Sequence, residues 1–389
     1  MSQTNAGVAA APPAAAMGGR VAPAAAEDRA IKRRRVLDIL DATGRDSLLL
    51  TTNTALTWYL DGSRVHISLA GDPIAVLLVD RDGDHLVAFN NEAARLEAEE
   101  LPAGVSLHPL PWYANLQESA AAVGRARAGN ATNPSRPHHQ AAPLTEGEVA
   151  TELRAARQRL LPAESARYAT LSGEIAVILT DVLSAARPEN TEFELVSALA
   201  GRVVAAGAEP LVLLCNGSSR SGFRHPLATH AALGRRAMAV VCARRDGLIA
   251  NITRWVRFDA GTPQERDAEA RIAAVEADIF DATVPNARLD GIFAEIQAAY
   301  VRHGFGPDQW EQHHQGGPAG YAGRDPRVTA NATDIVVFNQ SFTWNPSGPG
   351  VKIEDTVQLT ESGLRVLTMD PRWPVATVNG RERPVTLQL

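Results

Sequence analysis

Apolar residues recur along this chain at two spacings, and the alternation between them lays out the expected elements. From Ile31, "IKRRRVLDILDATG" sets apolar side chains at helical spacing before a glycine stop. Four runs of strand length follow, "SLLLTT", "RVHISL", "IAVLLVD" and "HLVAFN", with turn formers such as "DRDGD" between them. "NEAARLEAEEL" returns to helical spacing and completes a compact α/β unit ending near residue 123. Residues 124–148, "GRARAGNATNPSRPHHQAAPLTEGE", are polar and rich in turn formers, which predicts a long loop or linker. Periodicity resumes over 163–186, where Tyr168, Leu171, Ile175, Leu179 and Val182 share one helical face. "TEFE" at 191–194 is a capping-box pattern, with Leu195, Leu199 and Val203 behind it and Gly207 as a stop. Strands are predicted at 211–215, 237–243 and 248–258, helices at 263–281 and 287–303, and strands at 334–343, 351–360 and 364–368. Helices in pairs followed by strands in groups do not make a doubly wound sheet. They predict an α+β fold with helices on one face of a curved, mostly antiparallel sheet. No internal repeat is evident.

Composition refines this picture. A chain of 389 residues with 45% hydrophobic content suits two folded units, expected at 31–123 and 149–389, with an Ala/Pro-rich tail over 1–30 and the linker between them. The net charge of −6 and the lack of a basic run argue against nucleic acid as the partner. Two cysteines, Cys215 and Cys242, exclude a disulfide framework and read as small core residues. No run approaches ~18 apolar residues, so no membrane span is expected. The opening residues lack both a basic segment and a leucine-rich core, which predicts a cytoplasmic protein. His138 and His139 read as part of a solvated loop.

Four segments carry a specific resemblance: "FRHPLATHAALG" (223–234), "DGLIANITRWVRF" (246–258), "HHQGGPAGYAGR" (313–324) and "FTWNPSGPGVKIEDTVQLTESGLRVLT" (342–368). With the order of elements, they resemble the C-terminal pita-bread domain of the creatinase, aminopeptidase P and methionine aminopeptidase family. Residues 31–123 are similar to the smaller α/β N-terminal domain of the creatinase branch. In metallopeptidases of that family the resemblance implies two divalent metals held by two Asp, one His and two Glu. Hard oxygen ligands and an imidazole suit closely spaced dications. Position by position, this chain departs from that set. Asn251 stands for one Asp, and Val240, or Cys242 after a short slip, stands for the other, with Asp246 in the turn beyond. Gly317 stands for the His, unless a shift recruits His314; Asn345 stands for one Glu, and only Glu354 is retained. One carboxylate cannot offset the dehydration of two dications, so neither metal nor other cofactor is expected.

The remaining chemistry centres on His225, placed by the resemblance beside the substrate, where an imidazole can act as acid and base; its bland reading is a structural histidine. Arg254 reads either as a structural ion pair near Glu354 or as a clamp for a substrate carboxylate. His313, His314 and Gln315 are expected at the pocket rim, with at most one histidine facing inward if they lie on a strand. Gly316, Gly317 and Gly320 mark a close backbone approach rather than a phosphate loop. The segment 51–69 resembles one that reaches toward a neighbouring subunit's site, which makes Tyr59 and Arg64, among Trp58, Asp61 and His66, candidates for substrate contact. The resemblance further implies a homodimer. The functional expectation is a metal-independent, creatinase-like enzyme acting on a C–N bond of a small polar nitrogen-containing substrate. His225 would be acid/base, with Glu354, Asn251 and Asn345 orienting the substrate. The alternatives are a non-catalytic pseudo-peptidase binding module and, behind it, an Xaa-Pro metallopeptidase.

Overall fold

The computed structural model describes residues 26–129 and 142–389. Helix α1 (Ala26–Thr43) leads into β1 (Ser47–Leu50), α2 (Asn53–Tyr59), β2 (Ala75–Asp80), β3 (Asp84–Phe89), α3 (Asn90–Arg95), β4 (Val105–Leu110) and α4 (Leu116–Gly129). The four strands form one sheet in the order β1-β2-β3-β4, antiparallel except for the β3–β4 pair. Three expectations change here. Helix α1 begins at Ala26, inside the stretch read as tail. The run 64–69 is irregular rather than a strand: Val65 is buried, yet Ile67 and Leu69 face solvent, so no alternating face is completed. Helix α4 continues to Gly129, past the boundary expected near 123, and Leu144 bridges back to Leu48 on the first sheet. His138 and His139 lie outside the described residues.

The second unit follows the predicted order closely. Helices α5 (Ala150–Gln158), α6 (Pro162–Ser184) and α7 (Glu192–Ala205) precede β5 (Glu209–Gly217), β6 (Arg236–Arg245) and β7 (Leu248–Arg257). Thr191 caps α7, accepting from the Glu194 amide at 3.2 Å, while Glu194 returns to the Thr191 amide at 2.9 Å. β6 and β7 form a tight hairpin across Asp246 and Gly247, both at positive φ (50° and 77°), the backbone a two-residue turn of this twist requires. Helices α8 (Pro263–Ala282) and α9 (Leu289–Arg302) then precede β8 (Gly316–Ala319), β9 (Ser341–Trp344), β10 (Ser347–Gly348), β11 (Val351–Lys352), β12 (Asp355–Thr360) and β13 (Gly363–Val366). β14 (Val375–Val378) and β15 (Arg381–Pro384) make a terminal hairpin, and β16 (Leu387–Gln388) pairs in parallel with β7.

Two four-stranded sheets result, ordered β16-β7-β6-β5 and β13-β12-β9-β8. They meet where Thr253 of β7 bridges Glu354, its amide donating to the Glu354 carbonyl at 3.1 Å. A pair of helices followed by strands occurs on each side of that seam, a repetition of architecture that the sequence does not display. Alternation along the strands sorts the side chains. Ala237, Ala239, Val241, Ala250 and Ile252 pack with α6 and α7, in a core continuous with Val36, Leu50 and Trp58 of the first unit. Phe342, Trp344, Val357 and Leu359 pack with α8 and α9 in a second core. All these residues turn one way. The intervening positions, Met238, Val240, Cys242, Asn251, Thr253, Trp255, Thr343, Asn345 and Glu354, turn to the opposite face, away from both helix pairs.

Candidate functional site

On that open face Leu214, Met238, Val240 and Trp255 form a small apolar floor, with Cys242 packed against it. Val240, the position considered for a first metal-binding carboxylate, is therefore part of a core cluster. Beside the floor lies a shallow cleft, lined in part by Asn216, Phe223, Arg224, Trp255 and Lys352. The loop between β5 and β6 carries His225 to this edge, where its side chain is exposed.

His313 and His314 join it. The Nε2 atoms of His225 and His313 are 3.1 Å apart, the rings of His225 and His314 stack at 5.8 Å, and those of His313 and His314 lie 4.5 Å apart. Both neighbouring histidines thus face the site, against the expectation that only one would. The strand rule does not apply to them. His313 ends a short turn of helix (Gln309–Gln312), and β8 starts only at Gly316, whose φ of +111° reorients the chain. That glycine is required, because a Cβ there would meet the Thr343 carbonyl oxygen at 2.2 Å. Asn345 lies alongside, buried, with Nδ2 3.5 Å from His314 Nδ1. Its Oδ1 is buried with no hydrogen-bond partner among the described residues.

Glu354, the retained acid, is only 3% exposed and fully engaged. Thr253 Oγ1 donates to Oε2 at 2.6 Å, Lys352 Nζ lies 2.8 Å from the same oxygen, and Arg324 Nη2 lies 2.9 Å from Oε1. Burial by itself would raise its carboxyl, but Lys352 and Arg324 outweigh it and hold Glu354 below the ordinary carboxylate range. It is a charged anion with two cations already in place. Burial, reinforced by Lys352, pushes His313 down to about 2, and burial with Arg324 and Arg327 pushes His314 down to about 4. His225 is lowered as well, first by burial and then by Lys352, against the opposing pull of Glu354. Burial lifts the Cys242 thiol to about 12, which makes it a poor nucleophile.

The two-metal arrangement implied by the resemblance does not fit these residues. Asn251 is buried, with Nδ2 donating to the Ile249 carbonyl at 3.1 Å and to Thr343 Oγ1 at 3.2 Å, and it faces Cys242 in register. An amide, a thiol, a second amide and one neutralised carboxylate offer no anionic cradle for two dications. Two side-chain cations stand against Glu354 instead. Lys352 was legible in principle, being two residues before Glu354 and so on the same side of an extended chain; Arg324, arriving from a loop, gave no signal.

Other candidates lie elsewhere. Arg254 is three residues from Asn251, an odd step that turns it toward the helices. Its Nη2 donates to Asp355 Oδ1 and to the Thr368 carbonyl, both at 2.7 Å, while Nη1 donates to the Thr253 carbonyl at 2.9 Å. Arg254 is thus ion-paired with Asp355 rather than with the Glu354 carboxylate. Arg383 completes the network at 2.6 Å from Asp355 and 2.7 Å from Glu276. Tyr59 is buried in the first unit, its hydroxyl donating to Asp84 Oδ1 at 2.9 Å, so it is a core residue rather than a substrate contact. Arg64 is spent locally on Glu100, 2.7 Å from Nε to Oε1, and does not join the histidines. His66 bonds Glu209 of β5 at 2.7 Å, tying the two units together.

No family model matches this chain, and no curated protein does. Solved structures do. The Xaa-Pro dipeptidase from Bacillus anthracis superposes with a TM-score of 0.71 at 14% identity, over 93% of this chain and 100% of that one. Dipeptidase PepE from Mycobacterium ulcerans gives 0.71 at 19% identity, over 91% and 98%. The N-terminal domain of the FACT complex subunit SPT16 from chickpea, Cicer arietinum, gives 0.63 at 15% identity, over 88% and 95%. At such identities the likeness establishes architecture, and the chain has the α+β pita-bread fold.

Proposed function

We propose that this chain is a metal-independent enzyme that cleaves a C–N bond in a small, polar, nitrogen-containing substrate, with His225 as acid and base. One observation carries the reading: Lys352 and Arg324 neutralise Glu354, and His225 is the exposed member of the histidine trio. Two of the structural neighbours bear the names of dipeptidases, whose bond is an amide C–N bond. Glu354 therefore acts here by holding Lys352 and Arg324, not by exchanging protons.

The proton accounting is simple. A neutral imidazole at His225 accepts a proton from the attacking water as the new C–O bond forms, then returns it to the departing nitrogen as the C–N bond breaks. His313 Nε2, 3.1 Å away, steadies the ring through the transfer. Asn345 Oδ1 offers an unused acceptor to a substrate N–H, which suits a nitrogen-bearing ligand. Asn251, bonded within the sheet, shapes the wall rather than binding substrate.

A library of small amides, amidines and guanidines, screened by thermal shift and then by release of amine or ammonia, tests this. The expected result is a turned-over hit whose rate falls about 10²–10⁴-fold in His225→Ala while binding persists. Ligands that bind without any turnover by the wild-type protein would replace this reading with that of a binding module.

A further inference from the structure

The three histidines have a second capability that goes beyond acid/base work. We propose that one ring nitrogen from each of His225, His313 and His314 forms a site for a single borderline-soft divalent cation such as Zn²⁺, whose binding withdraws His225 from proton transfer.

The geometry is close to what such an ion needs. One ligand nitrogen per ring can be chosen so that all three lie within 4.8 Å of one another. Nitrogens bound tetrahedrally to zinc at ~2.0–2.1 Å sit roughly 3.3–3.4 Å apart, and His225 and His313 stand close to that at 3.1 Å. The third needs only a small ring movement. Beyond its ring contacts with the other two histidines, His314 makes one long hydrogen bond, 3.5 Å to Asn345, and the His225 side chain is exposed, so neither ring is locked.

The donor set also selects the ion. Three imidazoles and no carboxylate suit Zn²⁺, Cu²⁺ or Ni²⁺ and offer little to Mn²⁺ or Mg²⁺, which favour oxygen. That choice is the reverse of a carboxylate-built pair of metals. Nearby charges temper the affinity without abolishing it. Lys352 and Arg324 are paired with Glu354, which leaves Arg327 as the exposed cation near the trio. A three-nitrogen ion keeps a fourth position for water or an anion, and that ligand offsets part of the ion's charge beside Arg327.

The test uses the full chain stripped with a chelator and titrated calorimetrically, first with ZnCl₂ and separately with MnCl₂, in the absence of substrate. One zinc per chain is expected, with no comparable manganese binding. His313→Ala and His225→Asn should each weaken zinc at least ~10–100-fold, the scale on which damage even to the supporting partners of metal ligands is felt. Near-UV circular dichroism checks the fold of His313→Ala; should that variant unfold, His225→Asn, at an exposed position, decides alone. Absence of stoichiometric zinc, or zinc binding undiminished in the folded variants, overturns the proposal. Two manganese ions per chain would overturn it as well. Because no turnover is measured, the site stands or falls independently of the acid/base role of His225.

Discussion

Replacing Lys352 by Met tests whether a side-chain ammonium stands against Glu354 where a metal would be required. The two groups are 2.8 Å apart with side chains 6% and 3% exposed, so screening by water is slight. At an effective dielectric of ~20, opposite charges at that 2.8 Å separation attract by about 6 kcal/mol. Methionine recovers the cost of burying the ammonium, and losing one member of a buried pair generally costs about 3–5 kcal/mol. Arg324 at 2.9 Å and Thr253 at 2.6 Å still hold the carboxylate, which puts the expected loss near the lower end, about 3 kcal/mol at pH 7. Urea unfolding measures it. The pH dependence supplies a sign. Glu354 is depressed in the folded protein, so its contribution is complete above the unfolded carboxyl value near ~4.3 and is lost as pH falls below it. The variant has less to lose, and the gap between the two proteins should narrow on acidification. A variant within about 1 kcal/mol of wild type at pH 7 would show that Lys352 does little to hold Glu354 and that Arg324 and Thr253 carry that task.

Three further outcomes follow from the same contacts. His313, pushed down to about 2, stays neutral when folded and takes a proton when unfolded, so it lowers stability as pH drops below ~6.5; in metal-free protein His313→Gln should flatten that decline by about 1.4 kcal/mol per pH unit between pH 6 and 4. An unchanged slope in equilibrium unfolding would contradict it. Arg254→Met leaves Asp355 with Arg383 but removes a buried partner, and should cost about 3–5 kcal/mol in urea unfolding while ligand affinity at the cleft is unaltered; a selective loss of binding would restore the clamp reading. Tyr59→Phe removes one of the partners of Asp84, which keeps Arg29 and Arg33, and should cost about 0.5–1.5 kcal/mol without any effect on ligand binding, checked by paired denaturation and thermal-shift titrations.

Much of the second unit could be read in advance because its patterns are redundant. The helix expected at 163–186 is Pro162–Ser184, and the Thr191 capping box forms as the spacing implied. The first unit was less legible. Asn53–Tyr59 is a helix although Thr, Trp and Tyr favour strands, because Thr52 caps it and the surrounding core accepts its buried face. At the cleft, the segments around residues 225, 313 and 345 located a cluster of side chains, whereas pairing across the sheets was invisible. Arg324 reaches Glu354 from a loop, and the one-residue difference between Glu354 and Asp355 sends two adjacent acids to opposite faces and unrelated partners. A strand's alternation is local, but which cation waits on each side is decided by tertiary folding.

The junction of the two sheets gives Glu354 a second duty beside its charge pairing. The Glu354 carbonyl receives the Thr253 amide and its carboxylate receives the Thr253 hydroxyl, so backbone and side chain both stitch one half of the molecule to the other. Thr356 repeats the stitch against Asn251, its hydroxyl accepting from the amide at 2.9 Å and donating to the carbonyl at 3.0 Å. Losing the Glu354 side chain would loosen the suture between the halves. Glu354 therefore serves as a mechanical fastener between the two sheets as well as an ion-pair partner.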